Sequence, residues 1–351
     1  MRRWRYIWVR LKWKKVLLPV GAGVLLAALL SLLSPRWWGG LHEQIAVTKD
    51  TTTFHQKPIF VGRLELQEEG KRLEPYALFL SPEYLYVTYW HTDRVDLFDT
   101  RFHRAKTLRL SHGEEASITG IAVDDEYIYV ADFAKGEIRF HHHDARVSQA
   151  FSWLPHRVGR LRPHGLHLFQ GNLYITDIEQ RQLFVISAAD LEGLTEMGEL
   201  LFSVPGPEES GTTFHCPVYA AVTGDGRIVV TDMVNRDVKV FTCNGRFAYR
   251  FESEGEARLL GPHGVAFDDL PSPEMLAAAD SVFDPSGIHT QGRIHVVDTK
   301  LARVKVFDAV GKYILTYGRE LEQPNGLVID QQRRLIIVAD TGSGALVVYK
   351  Y

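Results

Sequence analysis

The chain has 351 residues, of which 45% are hydrophobic and 24% are charged, a composition typical of a globular protein with enough apolar side chains for a core. Seven of its 40 Lys and Arg residues, and none of its 43 Asp and Glu residues, lie within residues 1–35. The remainder is therefore net negative, which argues against nucleic acid as a partner because phosphate binding needs a basic face.

The N-terminal segment predicts a membrane anchor. The stretch from Val16 to Leu33 carries no charge and spans about 27 Å as a helix, enough to cross a bilayer core. Seven cations precede it, so the positive-inside rule places the N-terminus in the cytoplasm. We expect residues 1–15 to be a basic cytoplasmic segment and residues 16–34 an uncleaved transmembrane signal anchor. A cleaved signal peptide is the alternative, but the small residues of a cleavage site are missing.

This topology predicts a single-pass protein of the cell membrane whose remaining residues are extracytoplasmic, and periplasmic if the cell is bacterial. Residues 35–57 are polar and rich in Thr without a clear period, and are predicted to be a linker.

Beyond the linker, one pattern recurs six times at intervals of about 40–65 residues. A short apolar run near Pro or Gly is followed by a second run that usually ends in Asp, and by a third that ends near Phe or Tyr. The second runs read LYVTY, IYVAD, LYITD, IVVTD, IHVVD and IIVAD. Short runs rich in Val and Ile, bounded by turn residues, are typical of β-strands.

Four-stranded units repeated around an axis form a β-propeller, so the sequence predicts an all-β, six-bladed propeller over residues 58–351. The last unit, from Gln323 to Tyr351, contains only three strands and would leave an open sheet edge, which soluble sheets avoid. Residues 58–66 (PIFVGRLEL) form an additional strand before the first complete unit. We expect this strand to complete the last blade and close the ring.

Several segments resemble the NHL-repeat family of six-bladed propellers. They are GPHGVAFD, GRIHVVDTKLARVKVFDAVGKYILTYG and QPNGLVID, and the resemblance extends over residues 58–351. It implies the fold without implying one function, because this fold hosts scaffolds, ligand binders and enzymes.

In each first strand, the residue that precedes the repeat's Gly, or precedes the residue that takes the place of that Gly, is predicted to point into the top of the central channel. Around the ring these residues are Tyr76, Thr119, His164, Val218, His263 and Asn325. His91, in a top loop of the first blade, is predicted to reach the same channel mouth. Three imidazoles on alternate blades, with one open position, are typical of a catalytic zinc site.

This arrangement resembles the peptidyl-hydroxyglycine amidating lyases, and the resemblance implies zinc at His91, His164 and His263. The alternative is that Pro-His-Gly is a polar variant of the repeated Pro-x-Gly element, without a metal or another cofactor.

Other polar residues are predicted to be structural. The recurrent aspartates at the ends of second strands are expected to cap the following turns; they are Asp132, Asp177, Asp232, Asp298 and Asp340. The tract His141 to His143 is expected on the surface. Cys216 and Cys243 fall at opposite faces of a blade, too far apart for a disulfide. The insertion from Asp268 to Gly292 is either a tolerated loop or a contact with a partner or the membrane.

These features favour a membrane-anchored propeller that is a protein-binding or ligand-binding module, for instance an accessory subunit of a membrane complex, rather than an enzyme. The alternative is a zinc-dependent, lyase-like enzyme or metal-binding protein with its site at the top of the channel.

Overall fold

The computed structural model describes residues 57–110, 116–143, 148–151, 161–188, 200–204, 212–251, 254–268 and 292–351. Within these residues the structure is all-β, apart from one turn of 3-10 helix at Gly255–Ala257. The predicted basic segment and anchor, most of the predicted linker and most of the insertion after Asp268 lie outside the described residues. In the described part of the chain, no helix is long and apolar enough to cross a membrane.

Six antiparallel four-stranded sheets form the six blades, which confirms the predicted propeller fold. The strands of the first three blades are Pro75–Leu80, Leu85–Tyr89, Arg94–Phe98 and Arg104–Arg109; Ile118–Val123, Tyr127–Asp132, Glu137–His142 and Ser148–Phe151; and Pro163–Phe169, Asn172–Asp177, Gln182–Ser187 and Leu200–Val204. Those of the last three blades are Pro217–Val222, Ile228–Asp232, Asp237–Phe241 and Phe247–Phe251; Pro262–Asp268, Arg293–Asp298, Arg303–Asp308 and Tyr313–Tyr317; and Pro324–Asp330, Leu335–Asp340, Ala345–Lys350 and Ile59–Glu65.

The outermost strand of the sixth blade comes from the other end of the described chain. Ile59–Glu65 pairs antiparallel with Ala345–Lys350, so that Ile59 lies opposite Lys350 and Glu65 opposite Ala345. A two-stranded hairpin, Gln67–Glu68 with Lys71–Arg72, leads from this strand into the first blade. The first strand of each blade contacts the first strand of the next, and the sixth contacts the first. The ring is therefore closed.

Strand direction defines two faces of the ring. The top face carries the starts of the first strands and the aspartates that end the second strands. The bottom face carries the ends of the first strands and the beginning of Ile59–Glu65, because Ile59 aligns with Lys350 and Lys350 with Leu335. Lys57 and Pro58, which directly precede Ile59, therefore lie at the bottom face.

A β-bulge occurs at the start of each first strand, at the Pro-x-Gly element or at the three residues that take its place. In the third blade the register shifts between Pro163 and Leu166, and the other five first strands show the same irregularity near their starts. A bulge re-aims side chains, and here it turns the x residue toward the axis. The Gly that follows lies against the next blade: a Cβ on Gly165 would lie 2.5 Å from the carbonyl oxygen of Val218.

The strand-terminal aspartates have the structural role that their regular spacing predicted. Asp298 is fully buried and accepts hydrogen bonds from the backbone N–H groups of Leu260 (2.7 Å), Gly261 (3.0 Å) and Leu301 (3.0 Å). Asp177 and Asp340 bind the corresponding N–H groups in their own blades. Each carboxylate thereby joins the turn after the second strand to the segment that leads into the first strand.

In the first blade, Tyr89 occupies the position of this aspartate and takes part in a different network of hydrogen bonds. The Tyr89 hydroxyl donates to Oδ2 of Asp96 at 2.7 Å, and the guanidinium of Arg94 donates to both oxygens of the same carboxylate at 2.9 Å. Arg94 also forms an ion pair with Glu68 in the hairpin. The buried charges of this blade are thus paired, as their burial requires.

One surface prediction is wrong. His141 is only 3% exposed, at a position of the third strand of the second blade where both His141 and the preceding Phe140 are buried. His142 is exposed, and His143 binds the carbonyl oxygen of Asp124 through Nε2 at 2.8 Å. Cys216 and Cys243 are both free thiols.

Candidate functional site

The bulges bring three ring residues into contact at the top of the channel. Tyr76, His164 and His263 lie on the first, third and fifth blades and are 6%, 8% and 5% exposed. The Tyr76 hydroxyl lies 3.1 Å from Nε2 of His164 and 3.1 Å from Nε2 of His263. The two imidazole rings meet edge to face, with centroids 5.3 Å apart. We call these three residues the axial cluster.

Backbone carbonyls of the neighbouring blades orient both imidazoles. Nδ1 of His164 lies 3.2 Å from the carbonyl oxygen of Val218, and Nδ1 of His263 lies 3.2 Å from that of Asn325. A carbonyl oxygen accepts only, so each Nδ1 carries a proton and each Nε2 presents its lone pair to Tyr76.

Burial keeps the axial cluster uncharged. It lowers the pKa of His164 to about 3, with a further contribution from His263, and lowers the pKa of His263 to about 4. The hydrogen bonds to the Val218 and Asn325 carbonyls oppose these shifts only partly. Burial also raises the pKa of the Tyr76 hydroxyl, so at neutral pH the phenol and both imidazoles are neutral.

Tyr219 is a site residue that the sequence analysis missed. It occupies the position that is Gly in four of the other first strands, and its hydroxyl donates to the carbonyl oxygen of Thr119 across the channel. Its ring packs against His164 and His263, with centroid distances of 5.6 and 5.3 Å. The departure from Pro-x-Gly in the fourth unit is the sequence signal for a side chain that fills the axis.

The remaining ring residues connect adjacent blades instead of joining the axial cluster. The Asn325 amide donates to Oγ1 of Thr341 at 2.6 Å, and Thr341 donates to the carbonyl oxygen of Pro75 at 2.6 Å. The Thr119 hydroxyl lies 3.5 Å from the carbonyl oxygen of Pro163.

His91 lies outside the axial cluster. It is exposed, its backbone has a φ of 55°, and its ring packs against Trp90 with centroids 4.5 Å apart. Trp90 in turn stacks on Tyr76 at 4.6 Å, so it covers the cluster from above. Over the described residues, no three His, Cys, Asp or Glu side chains come close enough together to hold a metal ion. The structure brings His164 and His263 together and puts Tyr76 beside them.

Below the axial cluster the channel widens into a cavity of about 230 Å³. Residues from all six first strands line it, among them Phe79, His167 and Phe267. Tyr219 lines this cavity as well as the cluster, so its ring separates the polar top of the channel from the lower part.

No protein-family model and no curated protein matches this sequence. Solved structures do match. A catalytically inactive virginiamycin B lyase from Staphylococcus aureus with quinupristin has a TM-score of 0.55 at 13% identity, over 83% of this chain and 99% of that one. The β-propeller domain of Myceliophteria thermophila Cps50 (Swd1) has a TM-score of 0.55 at 10% identity, over 84% of this chain and 100% of that one. A putative phosphatase from Bacteroides thetaiotaomicron has a TM-score of 0.53 at 14% identity, over 79% and 71%. At these identities the likeness concerns the propeller fold alone.

Proposed function

We propose that this chain is a membrane-anchored, extracytoplasmic propeller of the NHL type that binds a protein partner, as an assembly module of a membrane complex. The uncharged N-terminal stretch with its cationic flank supports the anchor. Propellers with equally low identity to this chain include a lyase and the β-propeller domain of Cps50, and a propeller fold by itself does not imply one function.

The observation that carries the binding role is the packing of the channel mouth. The Tyr76 hydroxyl lies within hydrogen-bond distance of both His164 and His263, and all three residues are at least nine-tenths buried. Tyr219 fills the axis below them and Trp90 covers Tyr76. A mouth filled by its own side chains leaves little volume for a substrate. We therefore expect the partner to bind the loops of the top face, the top rim, where Val234 is 57% exposed.

Site-specific crosslinking of the full-length protein in its native membrane tests this role. A photo-crosslinking amino acid at Val234 is expected to capture a protein of defined mass, and the same residue at the exposed Lys106, on an outer strand, is the matched control. A Val234→Asp change is expected to dissociate the complex in mild detergent. A chain that migrates alone and forms no crosslink from the top rim contradicts the proposal.

A metal-dependent, lyase-like function is the second candidate, and the proton count of the axial cluster favours it. Both imidazoles keep their proton on Nδ1, so two Nε2 lone pairs face one hydroxyl that has a single proton to donate. A divalent cation such as zinc would bind both Nε2 lone pairs at once, because two imidazole nitrogens and a phenolate oxygen are suitable ligands. Metal-binding histidines typically donate their other ring N–H to a carbonyl, as both do here. In this form of the proposal Tyr76 takes the place that the sequence analysis gave to His91.

Metal analysis of the full-length protein in detergent, after incubation with zinc and removal of excess, tests this candidate. We expect about one zinc ion per chain in the wild type and in His91→Ala, and loss of zinc in Tyr76→Phe and in a His164→Ala, His263→Ala double variant. If His91→Ala loses its zinc, the ligands are instead those that the sequence analysis predicted, His91, His164 and His263. A folded wild type without zinc, or a double variant that retains it, overturns the candidate.

A further inference from the structure

Exposed apolar side chains are concentrated on the bottom face of the propeller. Among the described residues, five large hydrophobic side chains are strongly exposed, and four of them lie at the bottom: Ile59 (67%), Phe60 (42%), Leu201 (44%) and Val310 (44%). The fifth, Val234, lies at the top. We call these four residues the lower apolar rim. Single exposed hydrophobic residues are ordinary, but their collection on one face indicates a contact surface.

Three of the four belong to one region, where the fifth and sixth blades adjoin. Lys57 lines the same surface cavity as Tyr313 and Ile314 of the outer strand of the fifth blade, and Val310 is in the turn that leads into that strand. Ile59 and Phe60 follow Lys57 directly, and the Phe60 ring packs against Tyr349.

Cations accompany these apolar side chains. The exposed residues Lys57, Lys312 and Lys350 lie in or next to the same region of the bottom face. Apolar side chains next to lysines are typical of proteins that rest in the interface of a bilayer with anionic lipids.

The chain itself indicates which surface the rim meets. Fifty-six residues precede Lys57, they include the apolar stretch from Val16 to Leu33, and they join the propeller at the bottom face beside the rim. The 22 residues between positions 34 and 57 reach up to about 75 Å when extended. A linker of that length does not by itself fix the orientation of the propeller relative to the membrane, so a second contact is needed to fix it.

We propose that the lower apolar rim inserts into the interface of the lipid bilayer, so that the propeller rests on its bottom face with its top rim turned away. The proposal depends on the membrane anchor of the proposed function. The apolar side chains lie among the headgroups and the first methylene groups, the lysines bind anionic headgroups, and the tether keeps the local concentration of the rim high.

Two exposed valines provide a matched pair of probes. In full-length protein with Cys216→Ser and Cys243→Ser, a single Cys is introduced by Val310→Cys on the bottom face or by Val234→Cys on the top face, and labelled with an environment-sensitive fluorophore. The protein is reconstituted into vesicles of phosphatidylcholine and phosphatidylglycerol with brominated acyl chains, and compared with the same vesicles without bromine. We expect bromine to quench the label at position 310 at least about twofold more than the label at position 234.

The proposal also predicts an effect of charge on the rim. Ile59→Asp with Phe60→Asp is expected to remove the quenching at position 310, while the protein still floats with the vesicles through its anchor. Equal quenching at positions 310 and 234 in protein that floats overturns the rim proposal and leaves the anchor intact. Protein that does not float overturns the anchor and the rim proposal together, and flotation distinguishes the two failures.

Discussion

The hydroxyl of Tyr76 lies 3.1 Å from Nε2 of His263, although 187 positions separate the two residues in the chain. His164, 88 positions after Tyr76, lies at the same distance on the other side. The first, third and fifth blades therefore share one buried hydrogen-bond cluster on the axis. This cluster forms only when all three blades are in place. The hydrogen bonds at the channel mouth therefore depend on the closure of the ring.

Removal of the shared hydroxyl tests the importance of this cluster. Tyr76→Phe removes the only proton that the hydroxyl can donate to the two buried Nε2 atoms, and we expect the free energy of unfolding to fall by about 1–3 kcal/mol. The control is Tyr313→Phe, whose half-buried hydroxyl binds only Thr316 and should change stability by less than about 1 kcal/mol. Urea denaturation measures both. Equal effects of the two changes contradict a special role of Tyr76.

Buried histidines make stability depend on pH. Burial lowers the pKa of four histidines below the ordinary value of 6.5, to about 3 for His164 and His295 and to about 4 for His167 and His263. Between pH 6.5 and about 4 these histidines bind protons in the unfolded chain and remain neutral in the folded chain. Stability is therefore full above pH 6.5 and falls as the pH drops, by up to about 1.4 kcal/mol per pH unit for each histidine.

Denaturation at a series of pH values from neutral to about 5 measures this slope, in a range that lies above the titration of ordinary carboxylates. His263→Gln is expected to reduce the slope by about a quarter, because one of the four groups no longer titrates. An unchanged slope in the variant indicates that His263 already binds a proton in the folded state.

The glycines of the first strands are needed for the close approach of neighbouring blades. A Cβ at Gly165 would lie 2.5 Å from the Val218 oxygen and 3.0 Å from Oγ1 of Thr176, so Gly165→Ala is expected to cost about 1–3 kcal/mol. Gly62→Ala is the control, because no atom lies within 4 Å of the added carbon. Thermal unfolding compares the two variants, and similar melting temperatures contradict the steric explanation.

The strand-terminal aspartates can be tested with another matched pair. Asp298→Ala leaves three backbone N–H groups without their acceptor at a fully buried site, and we expect a loss of about 2–5 kcal/mol. Asp308→Ala removes a carboxylate that binds the N–H groups of Val310 and Lys312 in an exposed turn, where water replaces it, so the loss should be about 1 kcal/mol. A smaller effect at Asp298 than at Asp308 excludes the structural role.

Ring closure by Ile59–Glu65 predicts a difference between two truncations. Protein that starts at residue 57 keeps the outer strand of the sixth blade, whereas protein that starts at residue 67 exposes the edge of Ala345–Lys350. We expect the shorter protein to unfold at a much lower temperature and to aggregate through the open edge. If both truncated proteins melt alike, the strand does not close the ring.

The repeat pattern in the sequence was sufficient to predict the propeller. Six copies of a short apolar run, five of which end in Asp, specify strands, turns and blade number, because these features act within one blade. The position of His164 and His263 at the channel mouth followed from the same repeat. The burial of His141 did not, because the sequence alone leaves open which face of a strand is covered by the next blade.

The sequence by itself determined the architecture and the ring positions, since hydrophobic periodicity and turn chemistry are local. Only the tertiary structure decided which side chains meet. Tyr76 takes its place beside the two histidines because bulges on alternate blades point at the same axis, and Tyr219 fills that axis because it replaces a glycine there. His91 lies outside the cluster, in a loop where its backbone has a positive φ and its ring packs against Trp90.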